Sequence, residues 1–186
     1  DGGIVVGNGR GRGAFLWTGS PQSVAITSPI ASTITIADDL SGNGVVVVGN
    51  VTNLTSIELA FRFDLNNGTT MLGDLPGGIE SSRARAASTD GTVIVGRSNS
   101  ANNISSTQFE AFRWTLEAGM VGLGDLPGGT FSSSASAVSG DGSVIGGVGN
   151  ADRGFETFLW TQETGMRRLV DVLRDYGLDP ERAGWR

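Results

Sequence analysis

Few residue types in this chain can carry out chemistry. The 186 residues include no Cys, no His and no Lys, so all thirteen basic residues are Arg. These absences exclude thiol nucleophiles, thiolate and imidazole metal ligands, and Schiff bases on lysine. Any catalysis would rest on carboxylates, Ser/Thr hydroxyls, Arg or Tyr176.

Carboxylates recur at matching places along the chain. Glu58, Glu110 and Glu156 each precede an aromatic pair. Two carboxylates ~5–10 Å apart can hydrolyse a glycoside. A residue that recurs once per repeat is far from its copies, however, whereas an active site is needed once. We therefore predict that the chain is not an enzyme, with a carbohydrate-binding or carbohydrate-active protein as the alternative.

Acidic and amide residues also begin the Gly-containing turns Asp1-Gly2, Asn43-Gly44, Asp90-Gly91 and Asp141-Gly142. Carboxylates beside backbone carbonyls can bind Ca²⁺, which needs several oxygen ligands. There is no DxDxDG cluster, and one turn carries Asn43 instead of Asp. The similarity to the Asp-box of sialidases is partial, because the spacing and the following aromatic differ. We therefore favour a role in forming the turns.

Asp74 and Asp125 lie in two copies of LGDLPGG, and Asp171 has the matching place in the last repeat. We expect these carboxylates to accept backbone N–H groups of their own turns. Convergence of several on one axis would instead create a metal or sugar site. No metal, cofactor or catalytic residue is predicted.

Two further features are candidates for binding. Arg62 and Arg113 lie between aromatic residues, which predicts an inter-repeat salt bridge or stacking, with recognition of a ligand carboxylate as the alternative. Residues 98–108 form a Ser/Asn-rich stretch that interrupts the repeat. We interpret it as a solvated connector, although loops on rigid scaffolds often bind ligands.

A fourfold internal repeat must position all these residues. Each unit contains a Gly turn, a Val/Ile run, an aromatic pair and an apolar tail. The aromatic landmarks are 46, 51 and 46 residues apart: Trp17, Phe63, Trp114 and Trp160. The units span about 1–30, 31–78, 79–129 and 130–171, and residues 172–186 form a short helical and loop segment.

Each complete unit is typical of four antiparallel strands, A to D. Asn-Gly and Asp-Gly predict the A–B hairpin turn, and Leu-Pro-Gly-Gly predicts a type II turn after strand D. Four strands in 46 to 51 residues is the size of one propeller blade. We predict an all-β propeller, or an arc of one, with about four four-stranded antiparallel blades. Small residues in strand A favour an innermost position, and Phe and Trp of strand C fill the space between blades.

The first unit lacks strand A, because the sequence opens in an A–B turn. Either a longer chain or a neighbouring subunit would supply this strand. The second possibility predicts self-association by strand completion, as in a fibre or surface layer.

Charge and hydropathy exclude two kinds of partner. The net charge is −6 and the arginines form no basic stripe, which argues against nucleic acid as a partner. No apolar stretch approaches the ~20 residues of a membrane span, and the longest is the valine run 45–48.

The segment GLGDLPGGTFSSSASAVSGDGSVIGG, preceded by EAFRWTLEAGM, resembles the HAF-repeat family of extracellular bacterial repeat proteins. The resemblance is close over residues 43–185 and weaker in the first unit, where residues 21–39 lack LGDLPGG. It implies a propeller-like all-β fold and a secreted or cell-surface location. We expect self-association, or other surface proteins or glycans, as partners. It implies no reaction.

Overall fold

The computed structural model describes residues 3–10, 13–31, 33–53, 57–102, 105, 107–180 and 182. The Asp1-Gly2 turn lies outside the described residues. Within them, fifteen strands form four antiparallel sheets, and one short helix follows the last strand.

Each sheet is one blade, numbered in chain order. Blade 1 contains β1 (Val5–Gly9), β2 (Gly13–Trp17) and β3 (Val24–Ala25). Blade 2 contains β4 (Ile34–Leu40), β5 (Val47–Thr52), β6 (Glu58–Asp64) and β7 (Gly68–Gly73). Blade 3 contains β8 (Ser82–Ala87), β9 (Ile94–Ser98), β10 (Glu110–Thr115) and β11 (Gly119–Gly122). Blade 4 contains β12 (Gly128–Val138), β13 (Val144–Ala151), β14 (Gly154–Thr161) and β15 (Gly165–Arg168), and α1 (Leu169–Asp175) follows.

The blades are arranged as an arc of a β-propeller, as the repeat predicts. Strands follow chain order in every sheet. The first strands of consecutive complete blades are neighbours, since β4 contacts β8 and β8 contacts β12. They are therefore the innermost strands. Blade 1 has three strands and lacks the innermost one within the described part of the chain.

A glycine faces a phenylalanine across strands B and C of every blade, which are β1 and β2 in the three-stranded blade 1. The pairs are Gly7 with Phe15, Gly49 with Phe61, Gly96 with Phe112, and Gly147 with Phe158. A Cβ at Gly96 would lie 2.9 Å from the Phe112 ring and 1.9 Å from the Arg83 carbonyl oxygen. Each Val/Ile run therefore contains a glycine at the point where the facing phenylalanine ring lies directly against the backbone.

The aromatic residues fill the interfaces between blades, as predicted. Phe112 and Trp114 of blade 3 pack against Val46 and Val48 of blade 2. Phe158 of blade 4 packs in the same way against blade 3, in a cluster with Val93 and Val95. The side chain of Phe158, like that of Phe112, is fully buried.

A hydroxyl group also crosses each interface between blades, and we call this contact the hydroxyl bridge. Ser82 Oγ on β8 accepts the Ala60 N–H at 2.9 Å and donates to the Gly73 carbonyl at 2.6 Å, both in blade 2. Thr35 forms the same bridge to Ala14 and Ile26, and Ser133 forms it to Ala111 and Gly124. Three successive interfaces therefore share one polar contact.

The A–B turns form a second series of contacts between blades. The Asn43 N–H donates to the Thr89 carbonyl at 2.8 Å, and the Thr89 N–H donates to the Gly140 carbonyl at 2.9 Å. Gly91 has a φ of 71°, and a Cβ there would lie 2.5 Å from a methyl group of Val46. Glycine is required there for both its backbone conformation and its closeness to the preceding blade.

Replacing Ser82 with Ala should lower the free energy of unfolding by about 1–3 kcal/mol. The change leaves the N–H group of the fully buried Ala60 without its partner, and it also removes the donor to the carbonyl of Gly73. Urea unfolding followed by tryptophan fluorescence measures the loss. Ser82→Thr should lose less, because Thr35 forms the same bridge in blade 2.

Ser136→Ala is the matched control, since Ser136 is exposed on β12. It should change the free energy of unfolding by no more than about 0.5 kcal/mol. Equal losses at Ser82 and Ser136 would show that the hydroxyl bridge does not stabilise the fold.

Candidate functional site

Each innermost strand contains a one-residue bulge at the same place in the repeat. The register shifts between Ala37 and Asp39, between Ala84 and Ala86, and between Ala135 and Ala137. The residues at the bulges are therefore Asp38, Arg85 and Ser136. A bulge redirects the side chain of the extra residue and often lies beside a functional site.

Arg83 and Arg97 of blade 3 are held by carboxylates of blade 2. Arg83 binds Asp38 through two hydrogen bonds, Nη2 to Oδ1 at 2.7 Å and Nε to Oδ2 at 3.2 Å. Arg83 Nη1 also lies 3.1 Å from Glu58 Oε1, and Arg97 Nη2 lies 3.4 Å from Glu58 Oε2. The Arg97 guanidinium stacks over the Phe109 ring at 4.1 Å from its centroid. These two arginines are thus fixed by ion pairs and by stacking.

Arg85 has no hydrogen bond or ion pair among the described residues, although its Nε is buried. Burial lowers the pKa of the Arg85 guanidinium, and the positive charges of Arg97 and Arg83 act in the same direction. Asp38 and Glu58 oppose this effect. Because those two carboxylates balance Arg83 and Arg97, the charge of Arg85 itself is not balanced.

Arg85 lines an open cleft of about 300 Å³ between blades 3 and 4. Blade 3 contributes Arg97 and Phe109 in addition to Arg85. The blade 4 wall is formed by serines of β12, with Val148 and Phe155 beside them. Val148 is 43% exposed and Phe155 is 67% exposed, so the cleft has an apolar rim.

The arginines of blade 3 depart from the repeat. Arg85 occupies the position of Asp38 and Ser136 in the neighbouring blades. Arg97 follows the glycine that faces an aromatic ring, where blade 2 has Asn50 and blade 4 has Val148. These arginines were not predicted from the sequence, because the predictions concerned residues that recur at matching places in several units. The available signal was SRARAAS at 82–88, where the next unit has SSASAVS at 133–139 and the arginines alternate with alanines.

The predicted glutamates do not form one site. Glu58 binds the two arginines described above, whereas Glu110 is buried and accepts the Gly124 N–H and the Asn102 side-chain amide, each at 3.2 Å. Glu156 lies 3.7 Å from Arg168. Each glutamate thus has partners of its own.

Asp74 and Asp125 of the LGDLPGG motifs, and Asp171 at the matching place, lie in different surroundings. Asp125 accepts the N–H groups of Ser132 at 2.6 Å and Asn150 at 3.1 Å, as well as that of Leu126 in its own turn. Burial raises the pKa of Asp125, and the nearby Glu110 acts in the same direction. Asp74 is half-buried. Asp171 lies in α1 and pairs with Arg174 at 3.0 Å.

The Asp-Gly turns are organised by their own side chains, in agreement with a turn-forming role. Asp141 Oδ1 accepts the Ser139 hydroxyl at 2.6 Å and the Ser143 N–H at 3.0 Å. These hydrogen bonds lower the pKa of Asp141 to about 2. Asn43 Oδ1 accepts the equivalent groups of blade 2, the Ser41 hydroxyl and the Val45 N–H. Among the described residues, no cluster of three or more Asp and Glu could hold a metal ion.

Of the two arginines that lie between aromatic residues, Arg62 has an ion pair that bears on its predicted role. The prediction of an inter-blade salt bridge for Arg62 is wrong, because Arg62 pairs at 3.1 Å with Asp64 on its own strand. Residues two apart on a strand point to the same face, so this pair forms locally. Arg113 is half-buried on β10.

The beginning of the Ser/Asn-rich stretch is buried, which corrects its interpretation as a solvated connector. Ser98, Asn99 and Ser100 are each no more than 5% exposed. Ser98 Oγ accepts the Leu75 N–H at 3.0 Å, and the Ala101 N–H donates to the Pro76 carbonyl at 3.1 Å. This part of the stretch therefore anchors the turn that precedes blade 3. Residues 103, 104 and 106 lie outside the described part.

Two solved structures of TolB-type proteins are similar to this chain. The match to TolB from Acinetobacter baumannii has a TM-score of 0.56 and 17% identity, and it covers 89% of this chain and 39% of that one. The match to the protein from Agrobacterium tumefaciens has a TM-score of 0.53 and 13% identity, and it covers 84% of this chain and 56% of that one. The fold is a β-propeller arc.

The similarity extends to the fold alone, and the chain spans less than two thirds of either structure. No family model matches the sequence, and no curated protein matches it. In the described residues, no helix is long and apolar enough to cross a membrane.

Replacing Asp141 with Asn should reduce the dependence of stability on acidic pH. Folding lowers the pKa of Asp141 from 3.8 to about 2. The ionised carboxylate thus stabilises the fold above pH 3.8, and this contribution is lost as the pH falls through about 2. Urea midpoints of the two proteins should therefore differ most above pH 4 and converge near pH 2.

Asn43→Asp provides the reverse control for this prediction. It should add a similar pH dependence, because Asn43 Oδ1 already accepts the hydroxyl and N–H groups that would bind the carboxylate. Parallel pH profiles for all three proteins would contradict the role assigned to the turn carboxylate.

Replacing Arg85 with Ser, the residue of the equivalent position in blade 4, should leave the free energy of unfolding unchanged or raise it. The change removes a half-buried charge that has no partner in the described structure. Arg83→Ser should instead lower it by about 1–3 kcal/mol, because hydrogen bonds to Asp38 and Glu58 are lost. Urea unfolding distinguishes the two, and a larger loss at Arg85 would show that Arg85 is a structural residue.

Proposed function

We propose that this chain is a non-enzymatic binding module of a HAF-type repeat protein, placed outside the cell or at its surface. In this proposal, the module binds a ligand carboxylate in the cleft between blades 3 and 4. The observation that carries the proposal is Arg85, a cation with a buried Nε and no partner in the described structure.

Physical chemistry supports a carboxylate as the missing partner. A buried charge is unfavourable unless an opposite charge or hydrogen bonds compensate for it. The planar guanidinium of Arg matches a carboxylate and can bind it through two parallel hydrogen bonds. The cleft gives a small ligand access to Arg85 and Arg97. A bound carboxylate would therefore balance the charge of Arg85 and accept its hydrogen bonds.

The surroundings support binding rather than catalysis. Glu58 already accepts hydrogen bonds from Arg83 and Arg97, and Asp125 accepts the N–H groups of Ser132 and Asn150. The chain has no Cys, His or Lys to serve as a nucleophile or base. A carboxylate ligand thus has donors to bind it, whereas the obvious acids and bases are engaged elsewhere.

The extracellular location and the membership of the HAF-type repeats rest on the resemblance of residues 110–147 to that family. Self-association by strand completion stays a prediction of the repeat count. Its test is the oligomeric state of the protein by size-exclusion chromatography with light scattering, where a monomer at all concentrations would contradict it.

Small carboxylates should bind this protein weakly and saturably. Benzoate titrated into the ¹⁵N-labelled protein should shift amide resonances of β8, β9 and β12, which line the cleft. The neutral isostere benzamide should not. Added NaCl should weaken binding, because the attraction is largely between charges.

Arg85→Ser should weaken benzoate binding about tenfold or more, the typical effect of losing a charged hydrogen-bonding partner. Arg182→Ser changes the net charge equally at a side chain that is 89% exposed, so its affinity should match that of the unaltered protein. Equal weakening by both substitutions, or resonance shifts spread over all blades, would overturn the proposed site.

A further inference from the structure

We propose that the ligand of this cleft is a single uronic acid unit of an acidic saccharide. Its carboxylate binds Arg85, and its ring hydroxyls bind the serines of β12. This inference rests on the proposed function and specifies the chemical class of the ligand.

The charge of the site favours one carboxylate over a more highly charged group. Arg83 and Arg97 are balanced by Asp38 and Glu58, so one positive charge, that of Arg85, is available. The whole chain carries a net charge of −6, which disfavours long polyanions. A sugar acid brings one negative charge on each ring and therefore matches the site.

The blade 4 wall supplies hydroxyl groups that form no hydrogen bond with another described residue. Ser132, Ser134 and Ser136 line the cleft, and their hydroxyls have no hydrogen-bond partner in the described part of the structure. The neighbouring Ser133 differs, because its hydroxyl forms the bridge to blade 3. A serine hydroxyl both donates and accepts hydrogen bonds, as sugar hydroxyls do. The wall thus complements a ring that carries several hydroxyls.

The rim supplies an apolar surface beside these polar groups. Phe155 is 67% exposed and Val148 is 43% exposed, and both line the cleft. The face of an aromatic ring is electron-rich and attracts the electropositive C–H groups on one side of a pyranose. Carboxylate, hydroxyls and a C–H face occur together on a uronic acid ring.

The volume and the kind of lining limit the alternatives. A cleft of about 300 Å³ lies at the lower end of the range for small-molecule sites, which favours one ring. A peptide ending in a carboxylate is the main competitor, and extended peptides are usually held through backbone hydrogen bonds. The described lining consists of serine hydroxyls, two arginines, two phenylalanine rings and one valine, which favours the sugar.

Four probes test the ligand class by NMR titration of the intact chain. Methyl β-glucuronide carries both the carboxylate and the hydroxyls, methyl β-glucoside lacks the carboxylate, and cyclohexanecarboxylate lacks the hydroxyls. An acetylated tripeptide with a free C-terminus represents the protein partner. The glucuronide should bind about tenfold tighter than each of the other three, because it alone makes both sets of contacts.

Variants test separately the contacts to the carboxylate and the contacts to the ring hydroxyls. Arg85→Ser should weaken the glucuronide and cyclohexanecarboxylate alike, whereas Ser134→Ala combined with Ser136→Ala should weaken only the glucuronide, about threefold to tenfold. Phe155→Leu should also weaken the glucuronide while leaving the dependence on Arg85 intact. Unfolding midpoints of each variant establish that the fold is retained, and each serine can be replaced alone where the double variant is unstable.

The outcomes distinguish this inference from the proposed function. Equal affinities for the glucuronide and cyclohexanecarboxylate, with the same dependence on Arg85, would overturn the sugar and retain the carboxylate site. Tighter binding of the tripeptide would overturn the sugar in favour of a protein partner. Binding of none of the three carboxylates would overturn both proposals.

Discussion

The hydroxyl bridge is the contact on which the arrangement of blades depends. In blade 2, Ala60 and Gly73 are partners at the end of the pairing between β6 and β7, beside a register shift between Ala60 and Phe61. The Ser82 hydroxyl of the next blade is inserted between them and satisfies both groups. Because an unsatisfied buried amide is costly, each blade is complete only when the next innermost strand is in place. Stability within a blade and docking between blades therefore share one interaction.

This arrangement fixes the backbone on both sides of the bulge and leaves its side chain free to vary. The bridging hydroxyl lies three residues before the bulge, and the A–B turn that contacts the next blade begins three residues after it. Three different residues, Asp38, Arg85 and Ser136, occur at the bulge in the same backbone setting. A rigid frame around a variable position is the arrangement expected of a binding site on a repeat scaffold.

The repeat allowed the fold to be predicted because its signals are local. The turns at Asp90-Gly91 and Asp141-Gly142, the Val/Ile runs and the aromatic pairs each report on a few neighbouring residues. The candidate site could not be predicted in this way. Arg83 and Arg85 are alike in the sequence, yet Arg83 binds Asp38, 45 residues away, and Arg85 has no partner in the described structure. The difference depends on a bulge and on packing between blades, neither of which has a local sequence signal.

Comparison of two interfaces explains why the cleft lies where it does. Between blades 2 and 3, the long side chain of Arg83 reaches across to Asp38 and Glu58 and closes the interface with ion pairs. Between blades 3 and 4, the equivalent residue is Ser134, which is short and uncharged. Arg85 and Arg97 of blade 3 therefore line an open space of about 300 Å³, and no carboxylate is among its described lining residues. Two differences between successive repeats, Arg85 in place of Asp38 and Ser134 in place of Arg83, thus replace a closed ionic interface with an open cationic cleft.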